Sequence, residues 1–292
     1  MAPTVPAART RTPSSPPSHL RDASFEPPER IPWSSLGPEF AASWGNVDPG
    51  DFQPEFLEII GQNGSGKTHL LGKIFQERAV VHPNRAHILF GTKADDVTLL
   101  KTGWPIVQDW KGITEHRCCI YWPQTTLLED ARDDFYEKRI ADVLKRLWVK
   151  ESNTSVALDD WGYLDTLPRV KRLLAQFLRE GRSIGLDTTA MKQRPQGSNR
   201  LMSSETHWTV AFAPKDRADL ERWSELFGAR RDWMPVFDTM DSTRREFLIR
   251  HNRTKGSAIS WVDAPLEPRE PDRRPRSAWN LLGFRGAGGQ LR

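Results

Sequence analysis

The stretch Gly61-Gln62-Asn63-Gly64-Ser65-Gly66-Lys67-Thr68 satisfies the pattern G-x-x-x-x-G-K-[ST] in full. That spacing belongs to a loop that cradles phosphates. Its glycines let the backbone turn tightly enough for successive N–H groups to point at an anion, and a helix starting there adds favourable dipole charge. Lys67 is then placed to reach the β- and γ-phosphate oxygens of ATP, and the Thr68 hydroxyl to coordinate Mg2+. The expected cradle is Gly61, Gln62, Asn63, Gly64, Ser65, Gly66, Lys67, Thr68 and His69.

A phosphate loop of this kind needs a carboxylate at the end of a neighbouring strand to hold the metal through its water shell. The run Ser155-Val156-Ala157-Leu158-Asp159-Asp160 ends an apolar segment in two acids. Asp159 is the expected metal partner beside Thr68, and Asp160 is placed to polarise an attacking water as general base. A third polar element is Met191-Lys192-Gln193-Arg194-Pro195. The Gln193 amide both donates and accepts, which suits it to sensing a γ-phosphate or its attacking water. The candidate catalytic residues are thus Lys67, Asp160 and Gln193.

Positioning these groups requires strands that end together. Short apolar runs at 56–60, 86–90, 117–122, 155–158, 184–190 and 208–213 read as strands. Helical patterns at 68–79, 128–149, 168–180 and 215–226 alternate with them. Alternation of this kind predicts an α/β fold, a mostly parallel central sheet with helices on both faces. Two later apolar runs, 233–237 and 246–250, flank a polar turn and predict a terminal hairpin.

The chain has 292 residues and a formal net charge of +4. Its termini carry the basic excess, leaving the body at about −1, so basicity alone defines no DNA-binding core. Residues 1–32 are rich in Pro, Ser, Thr, Ala and Arg and predict a disordered tail. Residues 33–264 form the expected catalytic domain. Residues 265–292 read as a Pro- and charge-rich linker followed by an apolar cluster, Trp279, Leu281, Leu282 and Phe284, that could dock on a partner or pack on its own domain. No run approaches the roughly 20 apolar residues of a bilayer-crossing helix. The only cysteines, Cys118 and Cys119, are adjacent and lack disulfide or zinc spacing, which predicts a reducing, cytoplasmic setting.

With these pieces in order, residues 55–227 resemble the additional-strand P-loop ATPases of the FtsK/HerA superfamily, ring motors that move double-stranded DNA. The likeness rests on GQNGSGKT at 61–68, ILFGTKADD at 88–96, VALDD at 156–160 and GRSIGLDTTAMKQRP at 181–195, then the Ser203–His207 turn leading into WTVAFAP. It implies a RecA-like P-loop NTPase sheet, a homo-oligomeric ring with ATP sites between subunits, Gln193 as sensor glutamine, and an arginine finger from a neighbour, for which Arg182, Arg194 and Arg200 are candidates. Relatives without membrane anchors include viral genome-packaging ATPases, so a phage or other mobile-element origin is expected, with a host-cytoplasm location. There are departures from the pattern. Asp160 stands where many relatives use glutamate, and Gly91-Thr92 replace an acid before Lys93. A terminase-like or AAA-like ATPase, or a nucleotide-binding scaffold with little turnover, remain rival readings.

Among the tryptophans, Trp148, Trp208 and Trp223 fall in core patterns, while Trp104, Trp110 and Trp161 sit in expected connections and could line a pore or interface. Arg230, Arg231, Arg244, Arg245, Arg250 and Arg253 make the C-terminal third locally basic, a DNA-phosphate surface or a solvated face. The histidines show no ligand spacing.

Overall fold

A parallel strand covered by helices on both faces should be apolar along its whole length, and the predicted strands behave this way. The computed structural model describes residues 25–44, 54–93, 96–194, 204–214 and 216–268. Its strands are β1 (Glu29–Arg30), β2 (Leu57–Ile60), β3 (Ala86–Phe90), β4 (Ile106–Val107), β5 (Cys118–Tyr121), β6 (Thr154–Leu158), β7 (Leu186–Lys192), β8 (Trp208–Phe212), β9 (Phe247–His251) and β10 (Ser257–Ser260). They form one sheet in the order β1-β10-β9-β8-β2-β7-β6-β3-β5-β4. Every residue of β2, β3, β5, β6 and β7 is buried. From β8 to β4 the pairing is parallel, while β8, β9 and β10 pair antiparallel.

The helices are α1 (Trp33–Ser43), α2 (Lys67–Val81), α3 (Val97–Leu100), α4 (Trp110–Glu115), α5 (Glu129–Leu147), α6 (Trp161–Leu164), α7 (Pro168–Glu180), α8 (Arg217–Phe227) and α9 (Arg230–Asp238). On one face α1 and α2 pack through Trp33, Phe40, Leu70, Leu71, Ile74 and Phe75 onto Leu57, Ile59, Met191, Val210 and Phe247. On the other, α5 and α7 cover Ile88, Phe90, Val156, Leu158 and Ala190, and α8 and α9 cover Ile60, Ala211 and Leu248. The amphipathic logic is plain in α7. Proline opens it, and Val170, Leu174, Phe177 and Leu178 recur at helical spacing on the buried side. In α5, Glu129 and Asp130 sit at the positive end of the helix dipole and Lys145 and Arg146 at the negative end.

Four expectations need correction. Residues 233–237 are helical, inside α9; the hairpin is made by β9 and β10, because the 230–238 segment carries apolar groups at helical spacing (Trp233, Val236, Phe237) that fill the gap over α8. The folded domain is wider than 33–264. Glu29 and Arg30 pair with β10, Leu266 is buried, and Gln76 donates to the Glu267 carbonyl at 2.7 Å. The tail residues 1–24 and 269–292 lie outside the described residues. The strand expected from 184 begins at Leu186, since Gly181–Ile184 winds into a 3-10 turn ended by Gly185 in the left-handed region (φ 74°). Finally, Trp104 and Trp161 are core residues, at 5% and 3% exposure, and line no pore or interface; Trp110 is half-buried beneath Arg146.

Candidate functional site

The parallel strands β2, β6 and β7 all end on one edge of the sheet, and the chemistry gathers there. β2 runs straight into the glycine loop, and α2 starts at its far side with Lys67. A cavity of about 410 Å³ opens above this edge, lined by loop residues, Thr68, His69, Lys93, Asp96, Asp159, Asp160, Gln193 and Arg245 among others. That volume lies in the usual range for small-molecule sites.

The loop conformation explains its glycines. Gly66 caps α2 at φ 105°, a region that side chains rarely adopt. A Cβ on Gly61 would meet Ser65 Oγ at 2.7 Å and Phe212 Cβ at 2.9 Å, so only glycine fits against β8. Lys67 Nζ donates to the carbonyls of Gly61 and, at 2.9 Å, Gln62, which fixes the ammonium over the loop. Gln62 turns its amide away from the cavity, donating to Asp219 at 3.1 Å and Asp216 at 3.3 Å. Gly61, Gln62 and Ser65 therefore shape the loop, whereas Asn63, Gly64, Gly66, Lys67, Thr68 and His69 line the cavity.

Asp159 and Asp160 end β6, which is not β2's direct neighbour. β7 lies between them, paired to both. One inserted strand still brings Thr68 Oγ1 to 3.5 Å from Asp159 Oδ1. Lys93, from the end of β3, stands 2.7 Å from Asp159 Oδ2 and 3.4 Å from Asp96 Oδ2. Burial pushes the Asp159 carboxyl above its ordinary pKa, and the Lys93 ammonium partly opposes this. For Lys93, burial acts downward, but Asp159 and Asp96 outweigh it and hold the amine above its usual value. A hydroxyl and a buried carboxylate converging within one cavity form the hard-oxygen donor set that Mg2+ takes together with phosphate oxygens. Among the described residues no group of three or more His, Cys, Asp or Glu could hold a metal, so any metal here would depend on Thr68, Asp159 and phosphate oxygens.

Asp160 lines the same cavity and also caps α6, its Oδ1 accepting from Tyr163 N at 3.1 Å. Gln193 follows β7 directly and is exposed at the cavity's rim. Burial lowers the His69 imidazole below its ordinary pKa, which keeps it neutral near pH 7.

The arginine finger candidates separate. Arg194 is exposed beside Gln193, and Arg182 sits before β7, at the opposite edge of the sheet from the cavity. Arg200 lies outside the described residues. The basic third is largely engaged: Arg230 pairs with Glu221, Arg231 with Asp232, Arg244 lies over Trp261, and Arg250 is buried against Trp233 and Phe227. Sequence reading missed Asp96, Thr98, Lys101, Lys192 and Arg245 as cavity residues. For Asp96 a signal existed, an acid before Val97-Thr98-Leu99-Leu100 that caps α3 through Thr98 N and Leu99 N. Arg245 had none, being brought in from far downstream by the turn before β9.

The loop, the acidic strand end and the intervening β7 are the arrangement of the P-loop NTPase fold, with one strand inserted between β2 and β6. Solved structures agree. The chain superposes with TM-score 0.55 on the genome-packaging NTPase B204 of Sulfolobus turreted icosahedral virus 2 with sulfate, at 16% identity, covering 77% of this chain and 100% of that one. It superposes with TM-score 0.51 on the cytoplasmic domain of the Thermomonospora curvata type VII secretion ATPase EccC, at 14% identity over 78% of this chain and 28% of that one. A third match is the pCW3 conjugation coupling protein TcpA with ATPγS, TM-score 0.50 and 13% identity, covering 88% and 75%. No protein-family model and no curated protein matches the sequence. Among the described residues, no helix is long and apolar enough to cross a membrane.

Proposed function

We propose that the protein is a Mg2+-dependent ATPase that translocates or packages double-stranded DNA as a homo-oligomeric ring. The observation that carries this reading is the convergence of Lys67, Thr68, Asp159, Asp160 and Gln193 on one cavity from three separate strand ends. In this reading Lys67 and the N–H groups of the loop hold the β- and γ-phosphates. Thr68 and Asp159 hold Mg2+, which when bound neutralises phosphate charge. Asp160 takes the proton of the attacking water, and Gln193 orients that water through its two-sided amide. The likeness to a genome-packaging NTPase and a conjugation coupling protein supports the DNA-motor assignment through fold alone.

One observation favours a second reading, a nucleotide-binding assembly protein with little turnover. Asp160 already spends Oδ1 on the α6 cap, and it is shorter than the glutamate of many relatives. ATP hydrolysis measured with and without long duplex DNA, alongside mass in solution, separates the two. The motor reading expects DNA-stimulated hydrolysis by an oligomer, abolished in Lys67→Ala and in Asp160→Asn. Asn caps a helix as well as Asp does, so the second variant keeps α6 and isolates the base. Unchanged hydrolysis in Asp160→Asn removes that residue as the base, and tight nucleotide binding without turnover establishes the scaffold.

A further inference from the structure

We propose that Arg245 is a nucleotide-binding residue of the same subunit, clamping the phosphate chain from the flank of the loop opposite Asp159. The inference rests on the nucleotide reading above and adds a residue that no motif contains. Asp159 and Lys93 reach the loop from the β6 and β3 side of β2; Arg245 belongs to the turn entering β9, two strands away on the other side. It lines the cavity with Lys67 and Thr68. Its stem runs along the loop, with Cδ 3.3 Å from the point a Cβ on Gly66 would occupy. Gly66 is thus required for its φ, and a Cβ there would also press on this stem by a few tenths of an ångström.

The turn is built to hold that arginine in place. Asp241 Oδ1 accepts from Thr243 N at 2.8 Å, Thr243 Oγ1 at 2.6 Å and Arg244 N at 3.3 Å. Arg245 N donates to the Ser242 carbonyl at 3.2 Å and Glu246 N to the Asp241 carbonyl at 3.0 Å. Buried Glu246 closes the turn by accepting from Asp241 N at 2.9 Å and pairing with Arg30 at 3.6 Å. Arg245 itself has φ 55°, a left-handed conformation costly for any side chain and kept only where surroundings enforce it. Among the described residues no carboxylate comes within ion-pair distance of its guanidinium, whereas adjacent Arg244 is spent on Trp261, 4.2 Å from the ring centroid. An exposed arginine whose stem lies along the phosphate loop and whose guanidinium has no carboxylate partner among the described residues carries the planar, five-donor geometry that matches phosphate oxygens.

The test is calorimetric titration of the full chain with ADP and with AMPPNP, in Mg2+, for the wild type, Arg245→Gln, Arg245→Lys and Arg244→Gln. Loss of a charge-assisted contact should weaken both nucleotides by roughly tenfold or more in Arg245→Gln. Lysine should restore part of that loss, and Arg244→Gln should bind as the wild type does. Wild-type affinity in Arg245→Gln overturns the proposal, and so does an equal loss in Arg244→Gln, which would trace the effect to the turn's general charge or fold. A wild type that binds neither nucleotide removes the nucleotide reading itself, an outcome distinct from both.

Discussion

Two buried aspartates on adjacent strands sit at opposite ends of the same sheet, and their surroundings differ in kind. Asp187, at the start of β7, is wholly enclosed. Arg78 meets its Oδ2 at 2.8 Å, Arg85 at 2.6 Å, and Ser155 Oγ donates to it at 3.0 Å. The arginines are themselves saturated: Arg85 also reaches the carbonyls of Thr154 and Gly185 and the Asn153 side chain, and Arg78 reaches the Trp44 carbonyl and lies over its ring. Asp159, at the end of β6, has one ammonium partner, carried by a Lys93 side chain that is 42% exposed. The first cluster joins α2, β3, β6 and β7 through a single carboxylate oxygen, Asp187 Oδ2, while buried Oδ1 has no hydrogen-bond partner among the described residues; the second keeps its partner at the mouth of a cavity where it can move aside. One aspartate is a fastening and the other a place for a ligand.

That contrast breaks first if Asp187 proves dispensable. Asp187→Ala leaves two enclosed guanidinium groups without their shared anion, and should cost about 3–5 kcal/mol of stability in denaturant unfolding. Asp159→Asn should cost far less, within about 1 kcal/mol, since its charge is already disfavoured by burial and Lys93 can turn to solvent. Its loss should instead appear as Mg2+-dependent nucleotide affinity, read by titration with and without the metal. A large stability loss in Asp159→Asn would make the two ends alike.

The fastened end should also be pH-sensitive. Burial, then Arg78, lowers the His82 pKa to about 4, and burial followed by Arg78 and Arg85 holds that of His87 well below its ordinary value. Both imidazoles are easier to protonate unfolded, at the ordinary value near 6.5, than folded. Stability from their neutral forms is therefore fully present above about pH 6.5 and falls as pH drops toward 4. Thermal unfolding across that window should track the fall, and His82→Gln should flatten part of it. A smaller effect is expected in Gly66→Ala, about 1–2 kcal/mol from its left-handed φ, accompanied by weaker nucleotide binding because Arg245 is pushed aside.

Much of the open end was legible beforehand. The glycine loop and the two acids are contiguous strings whose chemistry depends on local geometry, and a strand entering a glycine turn before a helix leaves few alternatives. The fastened end was not legible. Arg78, Arg85 and Asp187 look like ordinary charges on a helix, a turn and a strand, and nothing local says that three segments will bury them together. The mistaken hairpin has the same origin: Trp233, Val236 and Phe237 suit a strand or a helix, and the gap over α8 decided for helix.

What the sequence determined by itself was the phosphate loop, the acid-ended strand and the alternating α/β pattern, because hydrophobic period and turn chemistry act between residues close along the chain. Only the tertiary structure decided that β7 would separate β2 from β6, that Lys93 would face Asp159, and that Arg245 would lie against Gly66. Strand order and the burial of charge are settled by packing between distant segments, whose free energy no local string of residues encodes.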